Sequence, residues 1–275
     1  MKLKSNGLNF CAEVGGSGPK LLFLGGTGWD LRLTPNPLQS LLVETFTLAV
    51  FDQRGMGRSD KPQGPYSMLD YAQDAIGILD ALAWDRAHLV GYSFGGMVAQ
   101  EVAIRWPARV DALVLAATSP GGKEAASYPV EELLGLSPYE RARRGLEIAD
   151  LRFTKEYQEA QPEKARQMVE RRMLAQTRFI DEPGARDGLA AQLSARASHD
   201  AVDRLHHIRS RTLILSGEHD GQASRKGQVV MAERISDATS KTLPGGHNFI
   251  FENTDGYAEI AEFCSGQNES AVTTE

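Results

Sequence analysis

The chain has 275 residues, 41% of them hydrophobic and 24% charged, an ordinary balance for one α/β domain with an insertion. Its net charge of -6 argues against nucleic acid or an anionic membrane as partner, and no run nears the roughly 18 apolar residues of a membrane span. No apolar signal core follows the N-terminal lysines, and two isolated cysteines, Cys11 and Cys264, read as free thiols, so a cytoplasmic location is expected.

Short apolar runs alternate with helical patterns. Leu8 to Val14 reads as part of an N-terminal hairpin. Lys20 to Leu24, Thr47 to Phe51, His88 to Val90 and Ala112 to Ala116 read as buried strands, each followed by a turn rich in Gly, Asp or Pro. Tyr71 to Ala83 predicts an amphipathic helix, with Ala72, Ala75, Ile76, Leu79 and Leu82 on one face. The alternation predicts a mostly parallel sheet covered by helices on both faces. From Gly121 to about Leu205 the strand pattern stops. Helical stretches at Ala142 to Leu151 and Glu163 to Ala175, with Pro129, Pro138, Pro162 and Pro183 between and around them, read as a helical insertion rather than one loop. Strand pattern resumes at Thr212 to Leu215 and Ser240 to Leu243, and a helix over Tyr257 to Phe263 closes the fold. The expected organisation is a core of residues 1–120 and 206–265, a helical cap of 121–205, and a polar, disordered tail of 266–275.

Gly91-Tyr92-Ser93-Phe94-Gly95 follows an apolar run and precedes a helical pattern, Met97 to Arg105. A sharp strand-to-helix turn with a serine at its apex and glycines on both sides is what a nucleophile elbow requires. Ser93 is therefore the candidate nucleophile, against the plainer reading of a helix-capping serine. His247 sits on the glycine-rich loop Leu243-Pro244-Gly245-Gly246-His247, just past the last strand, and its imidazole can take and return a proton near neutral pH. Asp220 lies past the preceding strand, where a carboxylate would orient that histidine. Glu218 is the rival acid, and an Asp-Gly turn is the plainer reading of Asp220. The chain order Ser, Asp, His differs from both the chymotrypsin and the subtilisin orders.

Phe51-Asp52-Gln53-Arg54-Gly55-Met56-Gly57-Arg58-Ser59, Trp106-Pro107-Ala108-Arg109-Val110 and His247 followed by Glu252 complete a set of motifs. From about Lys20 to Phe263 the chain resembles the α/β-hydrolase superfamily, most closely small carboxylesterases, enol-lactonases and cofactor-free haloperoxidases. The resemblance implies an eight-stranded, mostly parallel sheet and an oxyanion hole formed by the backbone N–H groups of Thr27 and Phe94. One departure stands out: most relatives carry His-Gly where this chain has Gly25-Gly26. Trp29, Met97 and Phe249 adjoin the candidate positions and are expected to line the substrate pocket, or else simply to fill the core. Arg32, Arg141, Arg143, Arg144 and Arg178 are either carboxylate partners or solvated cap residues.

The expected activity is hydrolysis of a small ester or lactone through a Ser-His-Asp triad, without cofactor or metal. No CxxC, HExxH or dinucleotide-type G-x-G-x-x-G pattern is present. Carbon–carbon bond hydrolysis, a lyase reaction, and a receptor-like binder with little turnover are the alternatives. The expected partner is a small-molecule substrate; oligomeric state stays open.

Overall fold

A computed structural model describes residues 1–252 and 254–266. Most of the tail read as disordered, 267–275, lies outside the described residues. Eight strands form one sheet: β1 (Lys2–Ser5), β2 (Leu8–Gly15), β3 (Lys20–Leu24), β4 (Thr47–Phe51), β5 (Ala87–Tyr92), β6 (Val110–Ala116), β7 (Arg211–Gly217) and β8 (Ala238–Leu243). Their order is β1-β2-β4-β3-β5-β6-β7-β8. β1, β2 and β4 pair antiparallel; every pair from β4 to β8 is parallel. The mostly parallel, eight-stranded expectation holds.

The strands are continuous apolar runs because both faces are covered. Side chains alternate along each strand, so two cores form. On one face Leu22, Leu24, Leu89, Leu113 and Ile214 meet α2 (Met68–Ala81), α3 (Phe94–Arg105) and α9 (Arg225–Arg234). On the other, Leu21, Phe23, Val90, Val114 and Leu215 meet α1 (Leu42–Thr45) and α11 (Asp255–Cys264). α2 begins with a reciprocal cap: Ser67 accepts from the Asp70 N–H, and the Asp70 carboxylate accepts from the Ser67 N–H.

Between β6 and β7 come α4 (Gly122–Ala125), α5 (Pro138–Ala149), α6 (Lys155–Ala160), α7 (Pro162–Thr177) and α8 (Ala185–Ala197), with no strand. Two of the prolines read as punctuation, Pro138 and Pro162, begin helices, where a missing N–H costs nothing. α5 and α7 share a small core of Ala142, Phe153, Ala165 and Val169. α6, α8 and α9 carry too weak an apolar periodicity to be read from sequence. A last short helix, α10 (Phe249–Glu252), follows the His247 loop.

β3 has β4 on one side and β5 on the other, so the loops leaving β3 and β5 diverge from adjacent strand ends. That switch point is where open α/β sheets place a site.

One buried joint ties the segment after α8 to α3. His199 is buried with its Nε2 3.4 Å from Gln100 Oε1 and its Nδ1 3.7 Å from Glu101. Burial lowers the imidazole to about 4 from an ordinary 6.5. The unfolded chain takes this proton as pH falls below about 6.5 while the folded chain resists it, so stability falls from there toward pH 4. In urea titrations at pH 7 and pH 5, His199→Asn is expected to lose less stability on acidification than the wild type. Equal losses would remove His199 from this role.

Candidate active site

At the end of β5 the chain turns through Ser93 with φ 53° and ψ -116°, a conformation side chains rarely adopt. The turn survives because its neighbours are glycines. A Cβ at Gly95 would lie 2.0 Å from the Leu24 carbonyl oxygen, and one at Gly91 would lie 2.5 Å from that of Gly95. The Ser93 N–H bonds to Ala116 at 2.9 Å, and the Thr118 hydroxyl donates to the Ser93 carbonyl at 2.7 Å. The apex is thereby clamped to β6.

His247 and Asp220 converge on it from the ends of β8 and β7. Ser93 Oγ lies 2.9 Å from His247 Nε2, and His247 Nδ1 lies 2.9 Å from Asp220 Oδ2. The other carboxylate oxygen accepts the N–H groups of Gln222 at 2.8 Å and Ala223 at 2.9 Å, which fixes the carboxylate plane. The His247 N–H bonds to the Ala149 carbonyl of α5 at 2.6 Å, so the helical insertion grips the histidine loop directly. Ser93, Asp220 and His247 are 6%, 8% and 5% exposed. The Glu218 side chain is 61% exposed, whereas that of Asp220 is fully covered, and this decides between the two acids. The arrangement can pass a proton from Oγ to the ring while the carboxylate holds the tautomer.

The structure adds a residue that the motifs do not reveal. Gln222 Nε2 lies 2.9 Å from His247 Nε2 and 3.5 Å from Ser93 Oγ. With Nδ1–H directed at Asp220, Nε2 has one lone pair, and the Ser93 hydroxyl and the Gln222 amide compete for it.

The loop after β3 faces the elbow. The Phe94 N–H is at the first position of α3, where no acceptor exists within the helix, and the Thr27 N–H is unpaired among the described residues. Two long-range amides hold this loop: Gln53 Nε2 donates to the Gly25 carbonyl at 2.9 Å, and the Gly28 N–H donates to Gln192 Oε1 at 2.8 Å. Gln192 belongs to α8, so the insertion sets the loop from above. A side chain at Gly25 has no room: its Cβ would lie 2.3 Å from the Trp29 ring. Trp29 occupies that space, tilted between the Phe23 and Phe251 rings, which explains the departure from His-Gly. Met97 is buried in the first core and Phe249 in the second; the Phe94 side chain stands edge-on to Tyr71.

The Asp-Gln-Arg-Gly loop is scaffolding for the same region. Asp52 accepts from the Leu31 N–H at 2.7 Å and the Arg58 N–H at 2.9 Å. Burial nonetheless pushes its carboxyl up to about 6. Among the described residues no cluster of three His, Cys, Asp or Glu side chains could hold a metal ion.

A profile of the alpha/beta hydrolase fold family matches residues 21–254. The chain belongs to this family. The hydrolase is 28% identical over 255 residues to a poly(3-hydroxyalkanoate) depolymerase of Ectopseudomonas oleovorans, covering 92% of this chain and 86% of the relative. It is 27% identical over 259 residues to 3-oxoadipate enol-lactonase 2 of Acinetobacter baylyi, covering 93% and 91%. The enol-lactonase structure from Burkholderia xenovorans LB400 superposes with a TM-score of 0.77 at 20% identity over 97% of this chain and 100% of that one, a likeness of fold.

Because Trp29 fills the space beside Gly25, Gly25→Ala is expected to destabilise the hydrolase by about 1–3 kcal/mol, the range for an overfilled core. Gly25→Ala/Trp29→Ala should lose less stability in denaturant melts than the sum of the two single losses. Additive losses in the double variant would show that the two positions do not compete for space.

Proposed function

We propose that this hydrolase cleaves a small carboxylic ester or lactone through an acyl-enzyme on Ser93. The continuous Ser93–His247–Asp220 hydrogen-bond chain beside two free N–H groups carries the reading. His247 Nε2 takes the hydroxyl proton as Ser93 Oγ bonds to the substrate carbonyl carbon. The N–H groups of Phe94 and Thr27 receive the oxygen that gains charge. The bond to the leaving oxygen breaks as His247 returns the proton to it. Water, deprotonated by His247, then attacks the acyl-enzyme, releasing the acid and restoring the Ser93 hydroxyl. The two relatives are named for depolymerising a poly(3-hydroxyalkanoate) and for acting on an enol-lactone; both names concern ester-type bonds and support this choice.

Residues 121–205 act as a cap over the site in this reading, since α5 holds the His247 loop and α8 holds the loop after β3. No helix of the described residues is long and apolar enough to cross a membrane. The free thiols Cys11 and Cys264 suit the reducing cytoplasm, where a small metabolite would be the substrate.

Ser93→Ala is expected to lower hydrolysis of short p-nitrophenyl esters by roughly 10⁴-fold or more, with fluorophosphonate labelling abolished. Equal rates in the two proteins would overturn the proposal. Gln222→Leu removes the competing donor and should speed fluorophosphonate labelling about fivefold, the worth of one hydrogen bond. A slower or unchanged rate would mean that the amide does not compete with Ser93.

A further inference from the structure

The buried stripe of α7 changes character along its length. Ala165 and Val169 fill the α5–α7 core, and the same helical spacing continues to Arg172 and Gln176. Both of these end in shielded polar atoms with no partner: Arg172 Nε and Gln176 Oε1. Arg172 makes no ion pair or hydrogen bond among the described residues, and no carboxylate acts on it. Of the arginines singled out from sequence, Arg141 also has no ion pair among the described residues but no shielded, unpartnered atom, and the other four are engaged. Arg32 pairs with Asp30 and Glu182, Arg143 and Arg144 pair with Glu147, and Arg178 stands over the Phe179 ring.

The fold makes room for Arg172. A Cβ at Gly145 of α5 would lie 3.0 Å from Arg172 Nε and Nη2, so the guanidinium rests against bare backbone. One turn further along α5, about 6 Å, is Ala149, whose carbonyl holds the His247 N–H. The charged group also acts on the phenol of Tyr92, the residue before Ser93. Burial lowers its guanidinium from the ordinary value, so the charge is held there without compensation.

We propose that Arg172, assisted by Gln176, binds a free carboxylate on the substrate, making the substrate class short esters or lactones that carry an anionic acyl chain. This deepens the reading of Ser93 as an ester-cleaving nucleophile and rests on it. A guanidinium meets a carboxylate through two parallel N–H donors, and the Gln176 oxygen can take a hydroxyl or N–H of the same ligand.

The test compares mono-p-nitrophenyl glutarate with neutral p-nitrophenyl pentanoate, equal in acyl chain length. Wild type should favour the anionic ester in kcat/KM by roughly 100-fold, the worth of a charge-assisted bond to a partly buried partner. Arg172→Met should collapse that ratio, Arg172→Lys should restore part of it, and Gly145→Ala should lower it by displacing the guanidinium without removing charge. Arg172→Met should also melt no lower than wild type, since it removes an unpaired, partly buried charge. A wild-type ratio near one, a ratio unchanged in Arg172→Met, or a marked loss of stability in that variant would overturn the proposal. If neither ester is cleaved, the hydrolase reading fails separately, and calorimetry with glutarate decides this one. Binding lost in Arg172→Met supports a carboxylate site; equal or absent binding in both proteins overturns it.

Discussion

The close pass of Gly95 against the Leu24 carbonyl oxygen governs the geometry of the molecule's working end. It brings the first turn of α3 against the end of β3, so that the elbow and the loop from Gly25 to Trp29 share one space. Ser93 pays for its left-handed backbone with hydrogen bonds to Ala116 and Thr118, which tie the apex to β6. Once the apex is fixed, the Asp220 and His247 loops need only extend from the two following strands to meet it.

Polar groups in this region are satisfied unevenly. Asp220 has both carboxylate oxygens engaged, and Asp52 likewise accepts two backbone N–H groups. Those are positioning groups, whose hydrogen bonds remove freedom before any ligand arrives. By contrast, Thr27 Oγ1, Gln192 Nε2, Arg172 Nε and Gln176 Oε1 are shielded without partners. Buried donors and acceptors of this kind cost stability, and these four lie on the loop after β3 and on two helices of the insertion, where chemistry rather than stability sets the requirement.

Much was legible locally. β3 and β4 run as read, Lys20–Leu24 and Thr47–Phe51, because strands buried on both faces are continuous apolar runs ended by Gly or Asp. The elbow was legible because its strain demands glycine at fixed offsets from the serine. α8 and α9 were not, since each buries few apolar side chains, Leu193 and Ala195 in one and Val230 and Met231 in the other, and that leaves little periodicity in Ala185–Ala197 or Arg225–Arg234. Gln192 and Gln222 were equally silent: their contacts with Gly28 and Ser93 cross 164 and 129 residues of chain.

The sequence by itself determined the family, the order Ser93, Asp220, His247, and the alternation that builds a parallel sheet, because turn chemistry and apolar periodicity are local properties. Only the tertiary structure decided that Asp220 rather than Glu218 faces His247, that Trp29 occupies the space beside Gly25, and that Arg172 stands unpaired against Gly145. Each of those outcomes depends on which side chains other parts of the chain bring within a few ångströms, and on how much water they leave behind.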